Sequence, residues 1–370
     1  MNVKLKLSAG KSLLVDGPAS LTFEEGEAQI LGAPLGKHEK LVVKDGVRLP
    51  LDPVKECALT LNITDEKQFL IVDSPTIPSS WINVAAELVE RNMDKVMVLG
   101  AVDAGKSSLC TYLSNIFFRE VGEAYILDLD LGQSDLGPPT TLGLGMLRGF
   151  VKSLSEASLL ALYFIGSTAP HRAMSKVFRG VVKLTSRSTT PLIVNTDGWI
   201  SDELAVSYKF RLMDLIGPKA VVALGEEVYE LLTTSKVTAF KAQPPIHVLK
   251  RSREDRRLSR ERRFYEFLKN GRIRVFNLKS LTYEGLRDER ESMNSLVGLL
   301  NSEEWLLGIG VLKGLNLKKG YVKVYTNFGG KVYSIVEGNV KLDEAGREIP
   351  SNSYNGIRDA SQTETSTSNI

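Results

Sequence analysis

Gly100, Gly105, Lys106 and Ser107 stand at the spacing G-x-x-x-x-G-K-[ST]. Two glycines let the backbone turn successive N–H groups inward, and a helix opening at the lysine adds the positive end of its dipole. Lys106 would meet the β- and γ-phosphates of a nucleotide as a mobile point charge, and Ser107 would offer its hydroxyl to Mg²⁺. Ala101, Val102, Asp103 and Ala104 between them, with Ser108 just after, complete the predicted nucleotide-binding stretch. The competing reading is a chance match in an ordinary strand-to-helix turn. The flanks argue against it: KVMVLG is a buried-strand run, and Leu109, Tyr112, Leu113, Ile116 and Phe117 recur at helical spacing.

A second constellation lies at 124–133, AYILDLDLGQ. Asp128 and Asp130 are two apart at the predicted C-terminal end of a strand, so they point to one side, beside the phosphate loop. One carboxylate is expected to orient Mg²⁺ or its waters, and the other to accept a proton from an attacking hydroxyl; the expected metal residues are Ser107 and Asp128. An Asp that only caps the following turn is the plainer alternative.

The Asn-Lys-x-Asp of guanine readers and the Leu-Ser-Gly-Gly of ABC-type ATPases are absent. A small phosphotransferase remains, and it needs a lid. The segment 250–263, KRSREDRRLSRERR, carries eight basic residues against Glu254, Asp255 and Glu261. On a helix Arg256, Arg260 and Arg263 share one face, and guanidinium groups suit bidentate contact with a transferring phosphoryl group. A solvated, ion-paired helix is the alternative.

The elements that must position these groups follow from the rest of the chain. Its 370 residues suffice for two or three domains, and a net charge of +3 implies no nucleic-acid partner by itself. Two cysteines, Cys57 and Cys110, exclude a disulfide framework and any Cys/His metal spacing. With no apolar leader and no span-length apolar run, a soluble intracellular protein without membrane contact is expected. Short strand-like runs between turn signals predict an antiparallel β-sandwich over 1–78. Over 79–290 apolar runs (KVMVLG, AYILDLD, LYFIG, PLIVNTD, AVVALG, PIHVLK) alternate with helical patterns, which implies βαβ units with a parallel sheet. The arginine-rich lid falls at about 250–265, a β-rich domain at 291–350, and a Ser/Thr/Asn-rich tail at 351–370 reads as disordered. The fold class is thus an α/β P-loop NTPase domain flanked by small N-terminal and C-terminal β-rich domains.

Taken in order, the phosphate loop, Asp128-Leu129-Asp130-Leu131-Gly132-Gln133, Gly198-Trp199 and the arginine-rich segment resemble the polynucleotide 5′-hydroxyl kinases. These comprise the eukaryotic RNA kinase of pre-mRNA cleavage and tRNA splicing, its nucleolar rRNA-processing relative and archaeal counterparts. The resemblance implies transfer of the γ-phosphate of ATP, with Mg²⁺, to the 5′-hydroxyl of RNA, with DNA as the other candidate acceptor. It implies that Asp130 aligns and deprotonates that hydroxyl, that Trp199 stacks on a base near the 5′ end, and that one or more of Arg256, Arg257 and Arg260 closes over the phosphates. Lys106, Asp130, Arg256 and Arg260 form the expected catalytic set; Trp199, Gln133 and Thr140 are assigned to the nucleic acid. A different class of function also fits: a nucleotide-binding scaffold that presents surfaces to RNA-processing proteins.

Overall fold

The structure, a computed structural model, describes residues 1–233 and 235–350, so the expected tail at 351–370 lies outside the described residues. Three sheets follow one another along the chain, of seven, seven and six strands.

The N-terminal sheet occupies 2–72, and its ladders are antiparallel. Its organiser is the 15-residue strand Arg48–Asn62. The first part of that strand pairs with Ser12–Asp16 and the remainder with Asn2–Leu7 and Ala19–Ile30. Leu13, Leu21, Phe23, Leu51, Leu59 and Leu61 are buried together between the two halves.

The central sheet has the order Ser158–Phe164, Thr141–Met146, Tyr125–Asp128, Leu192–Asn195, Lys95–Gly100, Ala220–Leu224, Thr238–Ala242. The last five strands are parallel. The first two are antiparallel to their neighbours, so the sheet is mixed rather than wholly parallel. The reason is the short path from Asp128 to Thr141, which leaves no room for a crossover helix. Gly143 and Gly145 hide the strand Thr141–Met146 from a propensity reading. The run PIHVLK, expected as a strand, is irregular; the edge strand is Thr238–Ala242, and Pro244 and Pro245 end it.

Alternation along Lys95–Gly100 sends Val96 and Val98 into one core and Met97 and Leu99 into another. The first core includes Trp81, Val84 and Leu88 of helix Ser79–Glu90, Leu109 and Leu113 of helix Lys106–Val121, and the N-terminal sheet. The second takes in helices Met174–Thr185, Glu203–Ile216 and Glu226–Leu232. No helix among the described residues is long and apolar enough to cross a membrane.

The C-terminal sheet begins before the expected boundary at 291. Arg272–Asn277 already pairs along its whole length with Tyr321–Thr326, and Thr282–Glu284 pairs with Ser334–Lys341. Ile273 and Val275 on that edge strand are exposed, so the pattern RIRVFN lacked a buried face to announce it.

Buried Asn115 ties the first two parts together. Its Nδ2 donates to Leu31 O at 2.8 Å and Val151 O at 2.7 Å, and its Oδ1 accepts from Val151 N at 3.0 Å. Asn115→Ala would orphan these backbone groups and is expected to cost roughly 2–4 kcal/mol. Denaturant unfolding of the variant against the wild-type chain checks this.

Candidate active site

The strand Lys95–Gly100 ends in the phosphate loop, and Gly105, at φ +94°, precedes helix Lys106–Val121 in the left-handed region. A side chain there would also come within 2.9 Å of Pro245 Cδ, so the glycine answers to the backbone and to the 243–247 segment lying on it. Lys106 is 7% exposed, and its Nζ donates to Ala101 O at 2.8 Å, folded back across its own loop. Burial lowers its pKa, opposed by the carboxylates of Asp130 and Asp197. Ser107 Oγ accepts from Asn195 Nδ2 at 3.4 Å.

Four carboxylates gather beside this loop, and their surroundings divide them. Asp128 is fully buried. Its Oδ1 accepts from Asp130 N at 3.2 Å and Asn195 Nδ2 at 3.1 Å; its Oδ2 accepts from Asp135 N at 2.8 Å, Ser134 Oγ at 3.2 Å and Leu136 N at 3.4 Å. Burial, with the like charges of Asp135 and Asp130, pushes its pKa up to about 7. Both oxygens accept hydrogen bonds, so Asp128 organises the turn after its strand. Asp135, which sequence reasoning passed over, lies near Ser107. Burial raises its pKa, with the Ser107 hydrogen bond opposing.

Asp130 is half-buried and its Oδ1 accepts from Gly132 N at 3.0 Å and Gln133 N at 2.9 Å. Burial raises its pKa, reinforced by the charge of Asp197 and opposed by Lys106. A carboxylate made more basic beside a phosphate-binding lysine is suited to taking a proton from a hydroxyl. Asp197 Oδ2 pairs with Lys209 Nζ at 2.8 Å.

Trp199 is brought to the same end of the sheet. A Cβ on Gly198 would lie 2.7 Å from Val102 Cα and N, so only a glycine lets this loop press against the phosphate loop. The half-buried indole rests on Tyr208 at 5.6 Å and is met edge-on by exposed His171 at 5.5 Å.

The arginine-rich segment is the helix Arg253–Leu268, opened by a capping box of Ser252 and Asp255. Its arginines have separate partners. Arg256 Nη1 donates to Asp103 Oδ2 at 3.1 Å, and Arg251 Nη2 to Asp103 Oδ1 at 3.0 Å, so two guanidiniums rest on the tip of the phosphate loop. Arg251 precedes the helix, which is why helical spacing missed it. Gln133 bridges to both, donating to Arg256 O at 3.1 Å and accepting from Arg251 Nη1 at 3.4 Å. Arg257 pairs with Glu254 and Glu261. Arg260 is committed to a bidentate pair with Glu348, at 2.6 and 3.1 Å, and holds the C-terminal part.

Thr140, expected at the nucleic acid, has no exposed surface. At φ +77° its N–H donates to Leu131 O and its carbonyl accepts from Ile165 N and Gly166 N, bracing the turn from behind.

Among the described residues no three His, Cys, Asp or Glu side chains form a metal-ligand group. The hard oxygens of Ser107 and Asp135 nevertheless fit Mg²⁺, which keeps most of its waters and takes few protein ligands.

Residues 100–270 match the family described as mRNA cleavage and polyadenylation factor CLP1 P-loop. Over that segment the chain is similar to the CLP1 P-loop family. The family match runs from the first glycine of the loop past the arginine-rich helix, and it bears out the resemblance read from the motifs. A polyribonucleotide 5′-hydroxyl-kinase of Pyrococcus furiosus is 25% identical over 317 residues, spanning 69% of this chain and 89% of that protein. A solved complex of wild-type Clp1p with Pcf11p has the same fold, with a TM-score of 0.76 over 92% of this chain and 98% of that one at 12% identity. A second Clp1p–Pcf11p structure, concerned with the interface and with ATP loss in a point mutant, gives 0.73 at 13% identity.

The two acids on either side of Ser134 should respond oppositely to truncation. Asp128→Ala strands three backbone N–H groups and is expected to lower stability by roughly 3 kcal/mol or more. Asp135→Ala is expected to melt close to the wild-type chain. Thermal denaturation of both without nucleotide checks this contrast.

Proposed function

We propose that the chain is an ATP-dependent polynucleotide 5′-hydroxyl kinase that transfers the γ-phosphate to the 5′ end of RNA. The observation that carries the reading is the convergence of Asp130, Lys106 and Trp199 on one end of the sheet, with Gly198 pressed against Val102. A nucleotide-binding scaffold needs the loop alone and has no use for a raised-pKa carboxylate beside the loop lysine.

On this reading Lys106 leaves Ala101 O for the β- and γ-phosphates as they settle on the loop N–H groups. Ser107 and Asp135 hold the position where Mg²⁺ would neutralise phosphate charge. Trp199 receives the 5′-terminal base by stacking, which is tolerant of sequence and suits an enzyme acting on ends. Asp130 accepts the proton of the 5′-hydroxyl as the hydroxyl oxygen attacks the γ-phosphorus in line and the bond from that phosphorus to the bridging oxygen breaks, releasing ADP. Arg251 and Arg256, resting on Asp103 at the tip of the loop, supply charge to the terminal phosphoryl. Catalysis here is positioning plus electrostatics. RNA-processing proteins as partners belong to the same proposal.

The test uses γ-labelled ATP and paired 5′-hydroxyl RNA and DNA oligonucleotides. Lys106→Ala is expected to abolish label transfer. Asp130→Asn is expected to keep ATP binding and lose about 10²–10⁴-fold in turnover, the usual worth of a general base. Release of free phosphate by the wild-type chain with no labelled oligonucleotide overturns the reading.

A further inference from the structure

Among the described residues, Lys209 is the one buried cation at this end of the sheet that the transfer chemistry leaves without a task. It sits on helix Glu203–Ile216 and is 3% exposed. An ammonium so placed is stable only with a close anion and well-made hydrogen bonds. Asp197, itself 6% exposed, supplies the anion and one hydrogen bond: Nζ lies 2.8 Å from Asp197 Oδ2 and donates to Asp197 O at 3.0 Å.

The other oxygen of that carboxylate has a different duty. Asp197 Oδ1 accepts from Trp199 N at 2.9 Å. Lys209 therefore grips both sides of Gly198, the carbonyl before it directly and the N–H after it through Oδ1. Gly198 has no side chain with which to hold its own conformation, and it is jammed against Val102 of the phosphate loop. The indole is held at its far end as well, since Trp199 Nε1 donates to Asp202 Oδ2 at 2.7 Å. Beneath it lies Tyr208, the neighbour of Lys209, whose ring is stacked in turn on Phe178 at 5.8 Å.

We propose that Lys209 is a positioning residue for the nucleic-acid acceptor: through Asp197 it sets the Gly198–Trp199 turn, and so the plane on which the 5′-terminal base stacks. The proposal rests on the kinase reading given above. A pair buried for stability alone is a weak device, because apolar residues of similar size often serve as well. This pair is spent on one glycine turn. Its ammonium is also felt at Lys106 and Asp130, which places it behind the reacting groups rather than on a remote helix face.

The experiment compares the full chain with Lys209→Met/Asp197→Asn and Lys209→Arg. Three quantities are read: the Kd for ATP, the KM for a 5′-hydroxyl oligonucleotide, and quenching of 2-aminopurine at the 5′ end of that oligonucleotide. The double variant leaves no unpaired buried charge, so it carries the test where Lys209→Met alone fails to fold. It is expected to hold ATP within about twofold of wild type, raise the oligonucleotide KM about tenfold, and lose the quenching, as displacement of one base–aromatic stack predicts. Lys209→Arg, which keeps the cation, is expected to recover part of the KM. A double variant with wild-type KM and full quenching makes the pair purely structural and overturns the proposal. Equal loss of ATP and oligonucleotide binding overturns it too. If the wild-type chain labels no oligonucleotide, the kinase reading falls, and the quenching arm, which needs binding alone, still decides the role of Lys209.

Discussion

Parallel pairing of three strands is the constraint on which the site depends. Asn195 stands beside Asp128 on one side and Val98 on the other, so Tyr125–Asp128 and Leu192–Asn195 finish level and Lys95–Gly100 runs two residues beyond them into the phosphate loop. The loop lysine and the clustered carboxylates of the site follow from those three ends. Asn195 in the middle joins them chemically as well, donating to Asp128 Oδ1 and to Ser107 Oγ. A slip of one residue in either ladder would turn Asn195 and its neighbours to the opposite face and separate the acids from the loop.

Crowding this many charges into a buried strand end is unfavourable unless each has a distinct environment. Asp128 is surrounded by donors and acts as the keystone of the turn after its strand. Asp130 is left half-exposed beside Lys106 with a raised pKa, and Asp197 is neutralised by Lys209. Lys106, partly deprived of water and bound only to a carbonyl, is held ready for a better anion. Identical side chains thus take different roles, because burial and neighbours push their proton affinities apart.

The flanking parts act on the site through the arginine-rich helix. Arg262 reaches Asp45 of the N-terminal sheet, Arg260 clamps Glu348 at the end of the C-terminal part, and Arg256 joins Arg251 on Asp103 of the phosphate loop. One helix is therefore in contact with all three parts. The helix that carries Arg256 is thereby tied to both flanking sheets as well as to the phosphate loop.

The sequence by itself determined the features set by local spacing. The phosphate loop, its strand and helix, the pairing of Asp128 with Asp130, the glycine before Trp199 and the existence of a basic helix all depend on residues a few positions apart, where period and motif are direct consequences of backbone geometry. What only the tertiary structure decided depends on residues distant in the chain. Asp128 and Asp130 looked interchangeable until Asn195, Ser134 and the backbone of 135–136 saturated one of them. Arg256 and Arg260 share a helix face, yet Glu348 and Asp103 gave them different work. Thr140 was accessible on paper and is sealed in by Ile165 and Gly166. The sheet's antiparallel edge and the early start of the C-terminal sheet were hidden by glycines and by an exposed strand. In each case the deciding partner is brought in by the fold, and burial and electrostatic environment are properties of that gathering rather than of any short stretch of chain.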